Sequence, residues 1–150
     1  MKFILTKELG RLAKWLRILG FDARYEPSTN KSFVMVEALK DERIVVTRNL
    51  RFGKRHGGTI VFIKHDELEG QLNDLKEAID LKIDAQHLFS RCTICNIALK
   101  EAEKKEVREN VPAYVYETHD NFMRCPKCLR VYWQGTHWGN VTEILNKIKN

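Results

Sequence analysis

The cysteines of this chain fall in two like-spaced pairs, Cys92-Thr-Ile-Cys95 and Cys125-Pro-Lys-Cys128, and there are no others. Two residues between partners let the backbone turn tightly enough for both sulfurs of a pair to face one point. Two such knuckles can surround a single ion tetrahedrally, with metal–sulfur distances of about 2.3 Å. Pro126 fixes φ within the second turn. Disulfides, a redox dithiol and an iron–sulfur cluster are the other chemistries open to such cysteines. A reducing cytoplasm disfavours disulfides, and a redox dithiol accounts for one pair but not for two. The pattern therefore points to one zinc ion per chain, with Cys92, Cys95, Cys125 and Cys128 as ligands. With every position filled by protein, the ion would be structural and its binding energy would be folding energy for this half of the chain. Loss of Cys125 should then unfold the ribbon and can leave residues 1–85 folded. Residues 96–124 separate the pairs by more than the common finger spacing, so they must hold a hairpin or an insertion.

The first half reads differently. Lys2–Leu5, Ala23–Tyr25, Ile44–Val46 and Thr59–Ile63 are short apolar runs suited to strands, the last two uniformly apolar as buried parallel strands are. Helical spacing of Leu9, Leu12, Ala13, Leu16 and Leu19 predicts a helix from Lys7 to Leu19, stopped by Gly20. A second helix is expected from Phe33 to about Lys40 with Ser32 as cap, and a third to about Ile79 with Asp66 as cap. Alternating strands and helices predict an α/β fold with a largely parallel sheet over residues 1–85. Residues 86–139 read as a zinc ribbon and 140–150 as a terminal helix. There Asn140 and Glu143 have the spacing of a capping box, and Val141, Ile144, Leu145 and Ile148 form one apolar face. No apolar run approaches the length of a membrane span, and the N-terminus is too interrupted by charge to be a signal peptide. A cytoplasmic protein is expected.

The 150 residues carry a net charge of +6, which favours acidic partners such as nucleic acid. Three groups of cations stand out. Lys7, Arg11, Lys14 and Arg17 share an arc of about 120° on the first helix. Arg48, Arg51, Lys54, Arg55 and His56 follow the third strand, before Gly57-Gly58, at the strand ends where ligands bind in open parallel sheets. Arg91, Arg124, Lys127 and Arg130 are interleaved with Tyr132, Trp133, His137 and Trp138, a mixture suited to unstacked bases of RNA. Those aromatics can equally pack a small zinc unit.

Leu9-Gly10-Arg11-Leu12-Ala13, Trp15-Leu16-Arg17, Leu19-Gly20-Phe21-Asp22, Thr47-Arg48, Arg91-Cys92-x-x-Cys95-Asn96, Arg124-Cys125-Pro126-x-Cys128 and Val131-Tyr132-Trp133-x-Gly135-x-His137-Trp138 occur in one order along the chain. To about residue 139 the sequence resembles the Mut-seven C-terminal RNase family. The resemblance implies a PIN-like α/β nuclease domain joined to a zinc ribbon. It also implies carboxylates at the strand ends that hold Mg²⁺ or Mn²⁺ to activate water. At the three positions where the family places those acids, this chain has Thr6, Asn30 and Asn49, all neutral. A pocket lined by Arg48 and Arg51 without these charges should repel a divalent cation and attract phosphate. Glu8, Glu26, Glu37 and Asp66 are near enough in sequence to rebuild a site, and Asp22 reads as a structural residue.

Three functions compete. One is an RNA-binding protein that kept a nuclease fold and lost its metal, seated on ribosomal or another structured RNA. A second is an active Mg/Mn-dependent endoribonuclease. The third is a protein-interaction adaptor. The neutral triad favours the first.

Overall fold

The computed structural model describes residues 1–53, 59–135 and 137–148, and of His137 and Trp138 only the backbone. Four short strands, β1 (Lys2–Leu5), β2 (Asp22–Tyr25), β3 (Ile44–Thr47) and β4 (Ile60–Phe62), form a parallel sheet in the order β2-β1-β3-β4. Phe3 pairs with Ala23 on one side and Ile44 on the other, and Val46 pairs with Val61. Strands buried on both faces have no reason to alternate polar and apolar residues, hence the unbroken Phe-Ile-Leu and Ile-Val-Val runs.

Helices α1 (Gly10–Ile18) and α2 (Lys31–Lys40) make the first two crossovers, and α3 (Leu68–Ile79) follows the last strand of the sheet. The Leu9, Leu12, Ala13, Leu16 and Leu19 stripe is buried, packing with Phe3, Leu5, Val46 and Val61 on one sheet face. Lys7–Leu9 is a 3₁₀ turn, so the helix proper starts later than the periodicity suggests. Its end is a Schellman motif. Gly20 sits at φ 93°, its N–H donates to the Arg17 carbonyl (3.0 Å) and Phe21 N–H reaches the Leu16 carbonyl (2.9 Å). A Cβ at Gly20 would also lie 2.3 Å from the His87 carbonyl oxygen. The opposite face, Ile4 and Val45, is covered by Val34, Met35 and Ala38 of α2.

The second half is a three-stranded antiparallel ribbon, β5 (Lys100–Ala102), β6 (Phe122–Arg124) and β7 (Val131–Tyr132), in the order β5-β6-β7. Its long spacer holds two 3₁₀ turns and α4 (Ala113–Thr118), whose Val115 packs with Val107, Val111, Phe122 and Val131. The α/β layer with a parallel sheet, flanking helices and a four-cysteine ribbon is the architecture the resemblance implies. The terminal helix α5 (His137–Ile148) returns to the first half: Val141 and Ile148 lie in the same core as Leu72 and Leu75, and Lys76 Nζ donates to the Ile148 carbonyl (3.0 Å).

Three more helix starts differ from expectation. The cap of α2 is Asn30, whose Oδ1 accepts from Phe33 N–H (3.1 Å), not Ser32. Before α3, Glu67 and not Asp66 holds the cap position, without a side-chain bond, and Asp66 instead pairs with Arg48. Asn140 falls inside α5 rather than at its start. Among the described residues no helix is long and apolar enough to cross a membrane.

Candidate functional site

Two places carry chemistry. At the first, the sulfurs of Cys92, Cys95, Cys125 and Cys128 all lie within 4.8 Å of one another. The Cys92–Cys128 pair is 3.7 Å apart, close to the edge of about 3.8 Å of a tetrahedron with metal–sulfur arms of about 2.3 Å. The two knuckles are copies of one geometry. Cys92 N–H donates to the Ile97 carbonyl and Asn96 N–H to that of Cys92. Likewise Cys125 N–H donates to Arg130 and Leu129 N–H to Cys125, all at 2.9–3.0 Å. Asn96 and Leu129 both adopt left-handed backbone, at φ 59° and 63°. Inside each knuckle an amide faces the first sulfur: Cys95 N–H to Cys92 Sγ at 3.3 Å and Cys128 N–H to Cys125 Sγ at 3.5 Å.

Burial pushes the Cys92 thiol up, but hydrogen bonds from the Tyr132 hydroxyl and the Cys95 and Ile94 amides outweigh it and bring the group down to about 6. Cys95 is pushed up to about 12 by burial and by hydrogen bonding with the Cys128 and Cys125 sulfurs. Four sulfurs this close cannot all ionise against one another; a cation at their centre lets them. Donor type, spacing and backbone support therefore fit a metal ion held by four thiolates. Tyr132 belongs to this centre. Its hydroxyl donates to Cys92 Sγ (3.1 Å) and accepts from Thr93 N–H (3.1 Å), and burial and the Cys92 contact push it up to about 12. It is thus not a free platform for bases.

The second place is the carboxyl end of the parallel sheet. Thr6 and Thr47 are buried there, with hydroxyls 2.8 Å apart. Both reach Glu8 Oε1, at 2.6 and 3.1 Å, and Arg48 N–H donates to the same oxygen at 2.8 Å. Burial raises the Glu8 carboxyl, but hydrogen bonds from Thr6 and the Arg48 amide, with lesser ones, prevail and hold it below its ordinary value. Asn49 caps the 3₁₀ turn Leu50–Phe52, accepting from Arg51 N–H at 3.0 Å. Thr6, Asn30 and Asn49 are each engaged in local structure. Of the four acids that could rebuild a metal site, only Glu8 joins Thr6 and Thr47. Glu26 and Glu37 are both bound by Arg24 (3.0 Å each), and Asp66 by Arg48. Among the described residues, the only three or more Cys, His, Asp or Glu side chains close enough to share an ion are the four cysteines.

The cations divide. Lys7, Arg11 and Lys14 are exposed, as are Arg51, Lys127 and Arg130. Arg17 turns inward: its guanidinium donates to the carbonyls of Ala23 (2.8 Å), Thr93 (2.8 Å) and Ile94 (3.3 Å). Burial lowers its pKa, partly offset by the charges of Cys92, Asp22 and Cys95. Arg91 donates to the Asn96 carbonyl (2.6 Å), and Arg124 to Asn110 Oδ1 (2.8 Å). Trp133 packs on the ribbon core. Lys54, Arg55, His56 and Gly57-Gly58, with the side chains of His137 and Trp138, lie outside the described residues. Tyr132 and Arg17 were both singled out in the sequence as candidates for RNA contact, but the structural role of neither carried a signal there. The Tyr132 contact with Cys92 spans forty positions, and the buried role of Arg17 depends on the knuckle packing against it.

The chain joins a parallel α/β layer to a ribbon whose four cysteines could hold a metal ion, set apart from the strand ends. The model of the Mut7-C RNAse domain family matches residues 1–145, nearly the whole chain, and the protein belongs to that family. No curated protein and no solved structure matches it.

Proposed function

We propose that this protein is a cytoplasmic RNA-binding member of its family that does not cleave RNA, associated with ribosomal or another structured RNA and carrying one structural zinc. The observation that carries this reading is the neutral triad. Thr6, Asn30 and Asn49 stand where the family's acids are implied, and their oxygens already serve hydrogen bonds within the chain. Phosphodiester hydrolysis by Mg²⁺ or Mn²⁺ needs carboxylates to concentrate the cation beside phosphate, and Glu8 alone is a poor substitute. Lys7, Arg11, Lys14 and Arg51 remain exposed to meet a phosphate backbone. The zinc would hold the ribbon folded and supply no chemistry to a substrate. Residues 1–85 would supply most of the RNA surface, with Lys127 and Arg130 of the ribbon adding to it.

The test is binding of a structured RNA by fluorescence anisotropy across a salt series, beside a cleavage assay with Mg²⁺ or Mn²⁺. Affinity should fall steeply with salt. Arg11→Ala, Lys14→Ala and Arg51→Ala together should lower the logarithmic salt slope by about 0.7–0.9 per lost phosphate contact and weaken all sequences alike. Salt-independent affinity would contradict the electrostatic reading. Metal-dependent cleavage abolished by Glu8→Gln would establish a rebuilt nuclease site instead.

A further inference from the structure

In a parallel sheet, the amide and carbonyl of one residue point to the same side, so an edge strand leaves alternate residues with both groups unpaired. β2 is such an edge. Its outward residue Ala23 is nevertheless fully engaged, and by side chains. Ala23 N–H donates to Asn96 Oδ1 (3.0 Å), and the Ala23 carbonyl accepts from Arg17 Nε (2.8 Å). Asn96 is the left-handed residue that closes the first knuckle. Its other amide atom, Nδ2, donates to Asp22 Oδ1 (2.7 Å), a carboxylate that also receives Arg43 Nη1 (2.6 Å) from the residue just before β3. Arg17, from α1, continues past Ala23 to the carbonyls of Thr93 and Ile94, the two residues between Cys92 and Cys95.

We propose that the metal-loaded first knuckle is the clasp of the sheet's open edge, with Asn96 and Arg17 as positioning residues that couple metal occupancy to the order of β2 and α1. The ion fixes Cys92 and Cys95, hence the path of residues 93–96. That path presents the Thr93 and Ile94 carbonyls to Arg17 and the Asn96 amide to Ala23 and Asp22. Coupling of this kind is reciprocal: whatever the ion contributes to the clasp, the clasp returns to the affinity for the ion. The basic residues Arg11 and Lys14 lie on the helix that Arg17 anchors, so metal loss reaches that face also. The inference rests on the reading of the four-cysteine centre as a zinc site and not on RNA binding.

The experiment uses the full chain and zinc. Asn96→Gly keeps the left-handed backbone available while deleting the clasp amide, and Arg17→Met deletes the guanidinium. Zinc affinity is measured by competition with a chromophoric chelator, and the Ala23 amide is followed by hydrogen exchange. Each variant should still bind one zinc, with affinity lowered about 10–100-fold, as for other groups that support metal ligands. The Ala23 amide should exchange faster in both, and as fast in the wild type stripped of zinc. Arg17→Lys should recover part of the affinity. Wild-type protein that takes up no zinc would overturn the zinc reading and the inference with it. Zinc uptake with Ala23 exchange unchanged on stripping, or with affinity unaltered in both variants, would overturn the clasp alone.

Discussion

Leu129 and Asn96 hold the same place in the two knuckles, each in left-handed backbone. Asn tolerates that region and also uses its side chain. Leu does neither: its side chain is largely exposed, 61% accessible, and its Cβ crowds the following carbonyl. Leu129→Gly should therefore stabilise the metal-loaded protein by about 1 kcal/mol, seen as a higher midpoint in chemical denaturation; an unchanged or lower midpoint would mean Leu129 packs usefully on a surface. Glu8 offers a second residue-scale expectation. Its folded-state pKa lies below the ordinary 4.5. Its ionised form therefore stabilises the fold fully above that value, and the contribution disappears as pH falls through the depressed one. The stability gap between the native protein and Glu8→Gln should be constant near neutrality and close at acid pH; a gap that widened on acidification would reverse the assignment. Thr6→Asp places a second carboxylate where the Thr6 hydroxyl sits 2.6 Å from Glu8. Two carboxylates that close cannot both ionise unless a cation lies between them. The variant should lose about 1–3 kcal/mol without divalent metal and regain part of it with millimolar Mn²⁺, read by thermal shift.

At the scale of elements, the strands of the parallel sheet and the gathering of the four cysteines were legible because both are written in short-range pattern. Ile44–Val46 is apolar without alternation, and each cysteine pair brings its own turn. Helix caps were legible only as candidates. Ser32 and Asn30 are equally good cap types two residues apart, and the choice depends on where the chain leaves β2, which Glu26 sets by bonding back to the Leu5 carbonyl (2.8 Å). Asp66 looked like a cap and became a partner of Arg48, a pairing set by the neighbouring ends of β3 and β4. Of the arc of cations expected on the first helix, Lys7, Arg11 and Lys14 are exposed. Arg17 is claimed by a knuckle seventy-six residues on, and no periodicity reveals that. The cap assignment can be checked directly. Asn30→Ala should cost about 1 kcal/mol, whereas Asn30→Asp and Ser32→Ala should be nearly neutral in urea denaturation. The tolerance of Asp at Asn30 and Asn49 also makes the triple restoration Thr6→Asp, Asn30→Asp, Asn49→Asp a fair test of lost chemistry: two of its three changes keep the local bonds intact.

At the scale of the whole molecule, the two halves are joined at both ends of the ribbon. The first knuckle meets β2 and α1 as the ribbon begins, and α5 packs against α3 after it ends, with Lys147 near Glu69 (3.1 Å) beside the Lys76 contact. Val141 is buried in the core of the α/β layer, while Val115 is buried in the separate cluster of the ribbon. Either valine cut to alanine loses two methyl groups from a packed interior, about 2 kcal/mol with the cavity included. If the halves were independent, denaturation of the metal-loaded protein would show two transitions, and each substitution would move only its own. With both junctions in place, we expect one transition, shifted to a similar degree by Val141→Ala and by Val115→Ala, and coincident whether followed by far-ultraviolet circular dichroism or by release of the metal. If the proposed clasp holds, removing the metal should dissolve the first junction and leave α5 docked. The stripped protein should then unfold in a transition that Val141→Ala still shifts and Val115→Ala no longer does, because the cluster around Val115 has already been lost with the ribbon. A stripped protein equally sensitive to both substitutions would show that the ribbon's own apolar cluster, rather than the ion, holds that half together.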